Sequence, residues 1–63
     1  YKKIEIVGTS DKSFSDAVEQ GIERAAKSVK HMSWFEVIEE RGRIENGKVA
    51  EYQVTLKIGF RLE

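Results

Sequence analysis

The C-terminal part of the chain has the clearest hydrophobic pattern. From Ala50 to Leu62 every second residue is apolar, and the residues between them are polar or, at Gly59, small. Such an alternation is typical of a β-strand that has one side against a core. The Asn46-Gly47 pair just before it is the strongest short-range signal for a β-hairpin. This region therefore predicts a hairpin turn followed by a strand.

A strand and a helix are predicted in the first half of the chain. Tyr1 to Val7 alternates and then reaches Gly8, which predicts a short strand, a turn and a loop over "GTSDKS". The helix is predicted to begin after Ser13, which is its N-cap. It is expected to end near residues 30–33, close to His31, which is a favourable residue at a helix C-terminus. The apolar helical stripe consists of Phe14, Ala17, Val18, Ile22, Ala25 and Val29.

The segment 34–43 predicts a further strand with apolar residues on both sides. Trp34 and Ile38 alternate onto one side, and Phe35 and Val37 onto the other. A two-layer domain of this size has one interior, so only one of these sides can be buried in it. We assign Phe35 and Val37 to the core of the chain itself, which leaves Trp34 facing outward.

The predicted order of elements is β-α-β-β, an α+β fold in a single domain of residues 1–63. A right-handed connection through the helix makes the first two strands parallel. The hairpin makes the third strand antiparallel to the second. The most economical sheet has the order 1-3-2 with the helix on one side. The other side has no cover within the chain, so a ligand or partner is to be sought there.

Size and composition limit the ways in which this fold can be stabilised. A chain of 63 residues buries only roughly 60% of its unfolded surface. Such small folds usually add disulfides, metals or oligomerisation. Cysteine is absent and His31 is the single histidine, which excludes disulfides and both thiolate and multi-histidine metal sites. We therefore expect a homo-oligomer.

Charge and hydropathy exclude two classes of partner. The 11 basic and 11 acidic residues balance, so nothing drives the chain electrostatically toward nucleic acid. No apolar run approaches the ~20 residues of a membrane span, and no signal peptide is evident. We expect a cytoplasmic protein that binds neither nucleic acid nor membrane.

Neither a catalytic nor a metal site is predicted. Nucleophilic catalysis pairs a Ser, Thr or Cys with a positioned base, and the single histidine is better explained by its place near the helix end. The "GTS" after the first strand lacks the glycine-rich pattern of a phosphate loop. Glu36, Glu39 and Glu40 are typical of the solvated face of a strand. We expect a protein that is not an enzyme.

Trp34 and Gln53 are the candidate binding residues. The indole either seals a core or subunit interface or provides a stacking surface for a planar ligand. The carboxamide of Gln53, on the polar side of the last strand, offers a donor and an acceptor to a ring edge with mixed carbonyl and N–H groups. Arg41, Arg43 and Arg61 on the same two strands are suited to a phosphate.

Several segments of the sequence, in their order along the chain, resemble those of the dodecins, a family of small flavin-binding proteins. The segments that carry the resemblance are "EIVGTS", "WFEV", "RG", "EYQV" and "GFRLE", which span essentially the whole chain and are similar to the bacterial type. The resemblance implies a hollow homododecamer of cubic symmetry, with a three-stranded antiparallel sheet partly wrapped around one helix in each subunit. It also implies flavin storage, sequestration and photoprotection without turnover.

The resemblance also implies roles for individual residues. Pairs of flavins would stack between Trp34 and its symmetry-related copy, with Gln53 on the isoalloxazine edge. Arg41 and Arg61 would lie near the ribityl phosphate, which favours FMN over riboflavin, and Glu39 would contact the polar tail. Some bacterial members also carry coenzyme A near subunit junctions. The positions that match that site are Lys2, Arg24, Ser28 and Lys30.

A structural role is the alternative function. The protein would then be a self-assembling oligomer in which Trp34 seals a subunit interface without flavin. Loss of the indole would break the oligomer, and no flavin would bind.

Overall fold

The computed structural model describes residues 1–62, and its elements follow the predicted order. Its elements are β1 (Lys2–Ser10), α1 (Phe14–Ala25), β2 (Met32–Glu45) and β3 (Lys48–Phe60). The three strands form one antiparallel sheet in the order β1-β3-β2. The predicted β-α-β-β fold, the sheet order 1-3-2 and the helix between the first two strands are confirmed.

Strand β3 is the centre of the sheet and holds the core. Its alternate residues Val54, Leu56 and Ile58 are at most 1% exposed, and Ala17 of α1 is fully buried. The partly buried residues packed around this cluster are Ile6, Phe14, Val18, Ile22 and Tyr52. The alternation along β3 and the apolar stripe of the helix therefore meet, as the sequence predicts.

The hairpin between β2 and β3 has the predicted turn. Asn46 and Gly47 have φ angles of 53° and 73°, and a type I′ turn requires this left-handed backbone at both of its central residues. Asparagine adopts it more readily than most residues, and glycine does so without a steric penalty. The turn pairs Glu45 with Lys48 and sets the register of the first two residue pairs of the hairpin.

Strand β1 continues past Val7 to Ser10, and Gly8 lies inside it rather than in a turn. A Cβ atom on Gly8 would overlap the carbonyl oxygen of Ala17 and would lie 3.2 Å from the Cα atom of Gly21. The missing side chains of the two glycines let α1 lie directly on β1. The sequence pattern shows only a glycine after alternating residues, which suggests a turn. It does not show that α1 packs directly on this glycine.

The N-terminus of α1 is capped as predicted. The Oγ atom of Ser13 accepts a hydrogen bond from the backbone N–H of Asp16 at 3.0 Å. The Asp16 carboxylate in turn accepts a 2.6 Å hydrogen bond from the hydroxyl of Ser10, the last residue of β1. These bonds satisfy one of the free N–H groups of the first turn and fix the helix to the end of the strand.

Helix α1 ends at Ala25, earlier than the predicted end near residues 30–33. A turn follows in which the backbone N–H of Val29 still donates to the carbonyl of Ala25 at 2.9 Å. That turn explains why Val29 keeps the helical spacing without belonging to the helix. His31 lies farther along with a φ of 63°, so its predicted place at the helix C-terminus is wrong. Its carbonyl accepts the backbone N–H of Arg61 at 3.0 Å.

Helix α1 packs on β1 and β3 and leaves β2 uncovered. Phe35 and Val37 pair with the buried residues Ile58 and Leu56, yet they are 47% and 42% exposed. The prediction that they belong to the core of the chain itself is wrong. A helix about 10 Å wide covers two strands spaced about 4.8 Å apart, and a third strand lies beyond its reach.

We predict that Gly8→Ala lowers the free energy of unfolding by about 2 kcal/mol, because the new methyl group overlaps the backbone of Ala17. Urea unfolding at a fixed protein concentration measures the change. Thr9→Ala, at the next and exposed position, is the control, and its effect should stay below about 1 kcal/mol. Equal unfolding midpoints for Gly8→Ala and the parent protein would contradict the close contact between α1 and β1.

Candidate functional site

The side of the sheet that faces away from α1 carries polar residues from all three strands, and we call it the open face. The strand registers place its residues in rows across the sheet. From one end to the other, these rows are Lys3, Gly59 and Trp34; Glu5, Lys57 and Glu36; Val7, Thr55 and Glu39; Thr9, Gln53 and Arg41; and finally Glu51 and Arg43.

Three register shifts in the pairing of β2 with β3 decide which side chains of β2 reach the open face, and two of them skip a residue of β2. The first skips Ser33 and pairs Trp34 with Gly59. The second skips Ile38 and changes the alternation, so that Glu39 and the odd-numbered residues after it share the face of Trp34. Strict alternation would keep these odd-numbered residues on the helix side. The bulges therefore bring the indole and the arginines of β2 to one surface.

The indole of Trp34 lies across β3 on top of Gly59. A Cβ atom on Gly59 would overlap the ring at its Cε2 and Cζ2 atoms, so the absence of a side chain there is what lets the ring rest on the strand. The residue is 40% exposed. The Nζ atom of Lys3 is 5.4 Å from the ring centroid and 3.1 Å from Oε1 of Glu36. The ring thus has one face on the sheet and a cation close to it.

Gln53 lies toward the opposite end of the open face, in a chain of polar contacts. Its Oε1 atom accepts a 2.8 Å hydrogen bond from Nε of Arg41, and its Nε2 atom donates a 2.8 Å hydrogen bond to Oε1 of Glu51. The same Glu51 oxygen is 3.8 Å from Nε of Arg43, whose Nη1 atom donates to Glu45 at 3.2 Å. Both ends of the Gln53 carboxamide are therefore bonded to charged groups.

The structure brings some of the predicted flavin residues together and separates others. Arg41 lies directly opposite Gln53, and Glu39 is in the adjacent row. Trp34 pairs with Gly59, which is six residues from Gln53 along β3. At ~3.3 Å per residue, the two rows are roughly 20 Å apart. The indole and the carboxamide of one chain therefore belong to well-separated rows of the open face.

Arg61 and the residues matched to coenzyme A lie at the opposite end of the molecule from Gln53. Arg61 follows the last residue of β3, next to the row that contains Trp34. The beginning of β1 and the end of α1 are close to this end, because α1 runs back along β1 from Ser10. The four residues Lys2, Arg24, Ser28 and Lys30 are all exposed there.

Three residues that contact Trp34 or Gln53 on the open face were not predicted as site residues, namely Gly59, Lys3 and Glu51. Gly59 is the small residue in an otherwise polar alternation, and this is the signal that could have found it. Lys3 meets Trp34 and Glu36 across the sheet, far apart along the chain, so no local pattern marks these contacts. Glu51 is two residues from Gln53 on the same side of β3 and could have been found from that spacing.

The uncovered part of the helix side forms an apolar groove between α1 and β2, which we call the helix groove. Its lining residues include Val18, Ile22, Met32, Phe35 and Ile58. Trp34 borders the groove at one end. The groove and the open face therefore meet at the start of β2, where the indole takes part in both surfaces.

Within residues 1–62, no group of three or more His, Asp or Glu side chains is arranged to hold a metal ion. In the same part of the chain, no helix has the length and apolar character needed to cross a membrane.

Comparison with known proteins gives one consistent family. A family model described as Dodecin matches residues 1–63. Dodecin from Thermus thermophilus is 51% identical over 63 residues, which are 100% of this chain and 91% of that protein. The structure of dodecin from Streptomyces coelicolor has a TM-score of 0.96 and 47% identity, covering 98% of this chain and 89% of that chain.

Variant structures and a more distant relative extend the comparison. Two arginine-to-alanine variants and a tryptophan-to-phenylalanine variant of the Thermus thermophilus dodecin have TM-scores of 0.94 and 48% identity; they cover 98% of this chain and 91 or 92% of theirs. Calcium dodecin from Mycobacterium tuberculosis is 31% identical over 62 residues, 98% of this chain and 87% of that protein.

We predict that Gly59→Ala displaces the Trp34 ring from β3, because the added methyl group overlaps it. The chain has one tryptophan, so its fluorescence reports this ring alone. We expect the emission maximum to move to longer wavelength as the ring becomes more hydrated. Lys57→Ala, in the next row of the open face, is the control and should leave the emission unchanged. Unaltered emission from Gly59→Ala would show that the ring does not rest on Gly59.

Proposed function

The chain belongs to the dodecin family, and we propose that it binds, stores and sequesters flavin without turnover. The observation that carries the proposal is the position of Trp34, whose indole lies on Gly59 and remains 40% exposed. A large flat ring held in this way is suited to stacking against another planar ring. An indole face to face with an isoalloxazine can also quench its excited state by electron transfer, which would protect the cell from flavin photochemistry.

We propose FMN as the favoured flavin, with riboflavin as the second. Arg41 and Arg61 would lie near the ribityl phosphate, and Glu39 would contact the polar tail. The Thermus variants support the two arginines. The intervals along that chain between its replaced tryptophan and its two replaced arginines equal the intervals between Trp34, Arg41 and Arg61 here. A guanidinium binds phosphate oxygens in a bidentate manner, which a lysine cannot do.

The flavin pocket would be shared between copies of the chain. The roughly 20 Å between the rows of Trp34 and Gln53 supports a pocket in which the indole stacked on a ring and the carboxamide on the edge of that ring come from different subunits. We propose a hollow homododecamer in which a pair of flavins stacks between two symmetry-related Trp34 side chains. The small core, with Ala17, Val54, Leu56 and Ile58 as its buried apolar residues within 1–62, is a second reason to expect assembly.

The helix side of β2, which includes one wall of the helix groove, is the surface through which we expect copies to associate. Phe35 and Val37 are large apolar residues on the helix side of β2 that remain close to half exposed. Ile44 and Val49, near the hairpin, are 75% and 56% exposed. Apolar side chains in such a row usually mark a protein interface rather than a solvated face.

Coenzyme A is proposed as an additional ligand of the end at which β1 begins. Lys2, Arg24 and Lys30 provide exposed cations there, and Ser28 an exposed hydroxyl. Cations of this kind can neutralise the phosphates of a nucleotide.

A structural assembly without flavin remains the second candidate function. The position of Trp34 at the border of the helix groove favours it, because an indole placed there can also seal a subunit interface. The absorbance spectrum of the purified protein, followed by acid release and identification of the ligand, separates the two functions. A colourless protein that does not quench added FMN fluorescence would favour the structural role.

We predict that Trp34→Ala weakens FMN binding at least about tenfold, since stacking on an aromatic ring contributes about 1–3 kcal/mol. The FMN affinity of Trp34→Phe, which keeps a smaller aromatic ring, should lie between that of Trp34→Ala and that of the parent protein. Quenching of FMN fluorescence during titration measures the affinity, and sedimentation velocity shows whether the assembly is intact. Affinity that stays within about threefold in Trp34→Ala would rule out stacking. Dissociation of the variant together with an absence of FMN binding to the parent protein would support the structural role.

We predict that Val37→Asp dissociates the oligomer, because it places a carboxylate in the apolar surface between α1 and β2, where burial of an unpaired charge is costly. Sedimentation velocity measures the change in mass. Val7→Asp is the matched control, since Val7 is exposed on the other side of the sheet. An unchanged sedimentation coefficient for Val37→Asp would show that the helix side of β2 is not the interface.

A further inference from the structure

We propose that Glu51 is a positioning residue which, together with Arg41, holds the carboxamide of Gln53 in a single orientation for recognition of a ring edge. The inference rests on the proposed function, in which Gln53 contacts the flavin ring. It adds a residue that would not itself touch the ligand.

The orientation of the carboxamide follows from the charges at its two ends. Nε2 of Gln53 donates to the Glu51 carboxylate and Oε1 accepts from the Arg41 guanidinium, both at 2.8 Å. A carboxylate can only accept and a guanidinium can only donate. Turning the amide around would place oxygen against oxygen at Glu51 and N–H against N–H at Arg41. Both charged partners therefore disfavour the reversed amide.

The backbone keeps these partners in place. Arg41 is directly opposite Gln53 in the antiparallel register, and Glu51 is directly opposite Arg43 one row farther along. The guanidinium of Arg43 lies 3.8 Å from the same Glu51 oxygen that receives the amide. The Glu51 side chain is 31% exposed, so it is more enclosed than a freely solvated glutamate. The pairing of β2 with β3 thus keeps all of these side chains close to one another.

A carboxamide held in one orientation has a defined donor and a defined acceptor left for a ligand. After its contacts with Glu51 and Arg41, Gln53 keeps one N–H donor on Nε2 and one acceptor site on Oε1. An isoalloxazine edge has an N–H between two carbonyl groups, so its N–H and one neighbouring carbonyl match this pair. Because the amide is already oriented, binding does not have to select one of two rotamers. Loss of Glu51 should remove this advantage without removing the amide.

A double-mutant cycle tests the coupling between the two residues. We expect Glu51→Ala to weaken FMN binding about fivefold and Gln53→Ala about tenfold, in the range of one or two hydrogen bonds. The double variant Glu51→Ala/Gln53→Ala should bind no more weakly than Gln53→Ala alone, because Glu51 acts only through the amide. Fluorescence titration with the assembled protein gives the four affinities.

A flavin without the ring N–H separates positioning from a general structural effect. We expect N3-methylriboflavin to bind the parent protein more weakly than riboflavin, since it leaves the Oε1 site of Gln53 without a donor. Glu51→Ala should reduce the affinity for riboflavin but hardly change the affinity for the methylated analogue. A purely structural defect would weaken the binding of both flavins to the same extent.

Two further variants serve as controls. Glu45→Ala removes another glutamate that contacts Arg43 but does not contact Gln53, and it should leave FMN affinity unchanged. Glu51→Gln keeps an acceptor of the same size and should recover part of the affinity lost in Glu51→Ala. It also provides the comparison if Glu51→Ala does not assemble, which sedimentation velocity shows.

The possible failures are distinguishable. A parent protein that binds neither FMN nor riboflavin overturns the proposed function, and with it the basis of this inference. If the parent protein binds FMN but the effects of Glu51→Ala and Gln53→Ala add, only the positioning role is overturned. The same holds if Gln53→Ala or Glu51→Ala leaves the affinity unchanged.

Discussion

The width of α1 relative to the sheet is the constraint on which the rest of the structure depends. The helix lies directly on β1, where Gly8 and Gly21 meet without side chains, and its apolar stripe reaches the centre of β3. A helix in this position covers two strands, and the third remains without a partner inside the chain. The exposure of Phe35 and Val37 follows from this geometry. The same shortage of cover leaves the helix groove exposed.

The open face depends on a different feature, the pairing of β2 with β3. The hairpin sets the register at one end, and the three register shifts farther along then determine which residues of β2 stand beside Gln53 and Gly59. Gly59 gives the indole a flat place on the strand, whereas Arg41 and Glu51 hold the carboxamide from two sides. The two candidate contacts are therefore supported locally by different neighbours, and they lie at opposite ends of one sheet.

The elements that the sequence predicts well are those determined by nearby residues. The alternation of β3, the Asn46-Gly47 turn and the Ser13 cap are local features, and all three are present in the structure. The dodecin resemblance is likewise confirmed by the family model and by curated relatives.

The features that could not be predicted depend on tertiary contacts. The bulges at Ser33 and Ile38 arise from the pairing of two strands, and neither position carries a distinctive residue. The role of Gly8 becomes visible only when the helix lies above it. The pairing of Arg41 with Gln53 also requires a register shift near the turn, which no residue pattern marks. In each case the deciding partner is distant along the chain.

The bulges of β2 have a consequence for the edge of the sheet. Strand β2 is long, lies at a free edge and is exposed along most of its length, which is the arrangement most prone to strand addition and aggregation. Each bulge interrupts the regular spacing of backbone N–H and carbonyl groups, so an added strand cannot stay in register with β2 along its full length. Addition of copies edge to edge into an endless ribbon is thereby disfavoured.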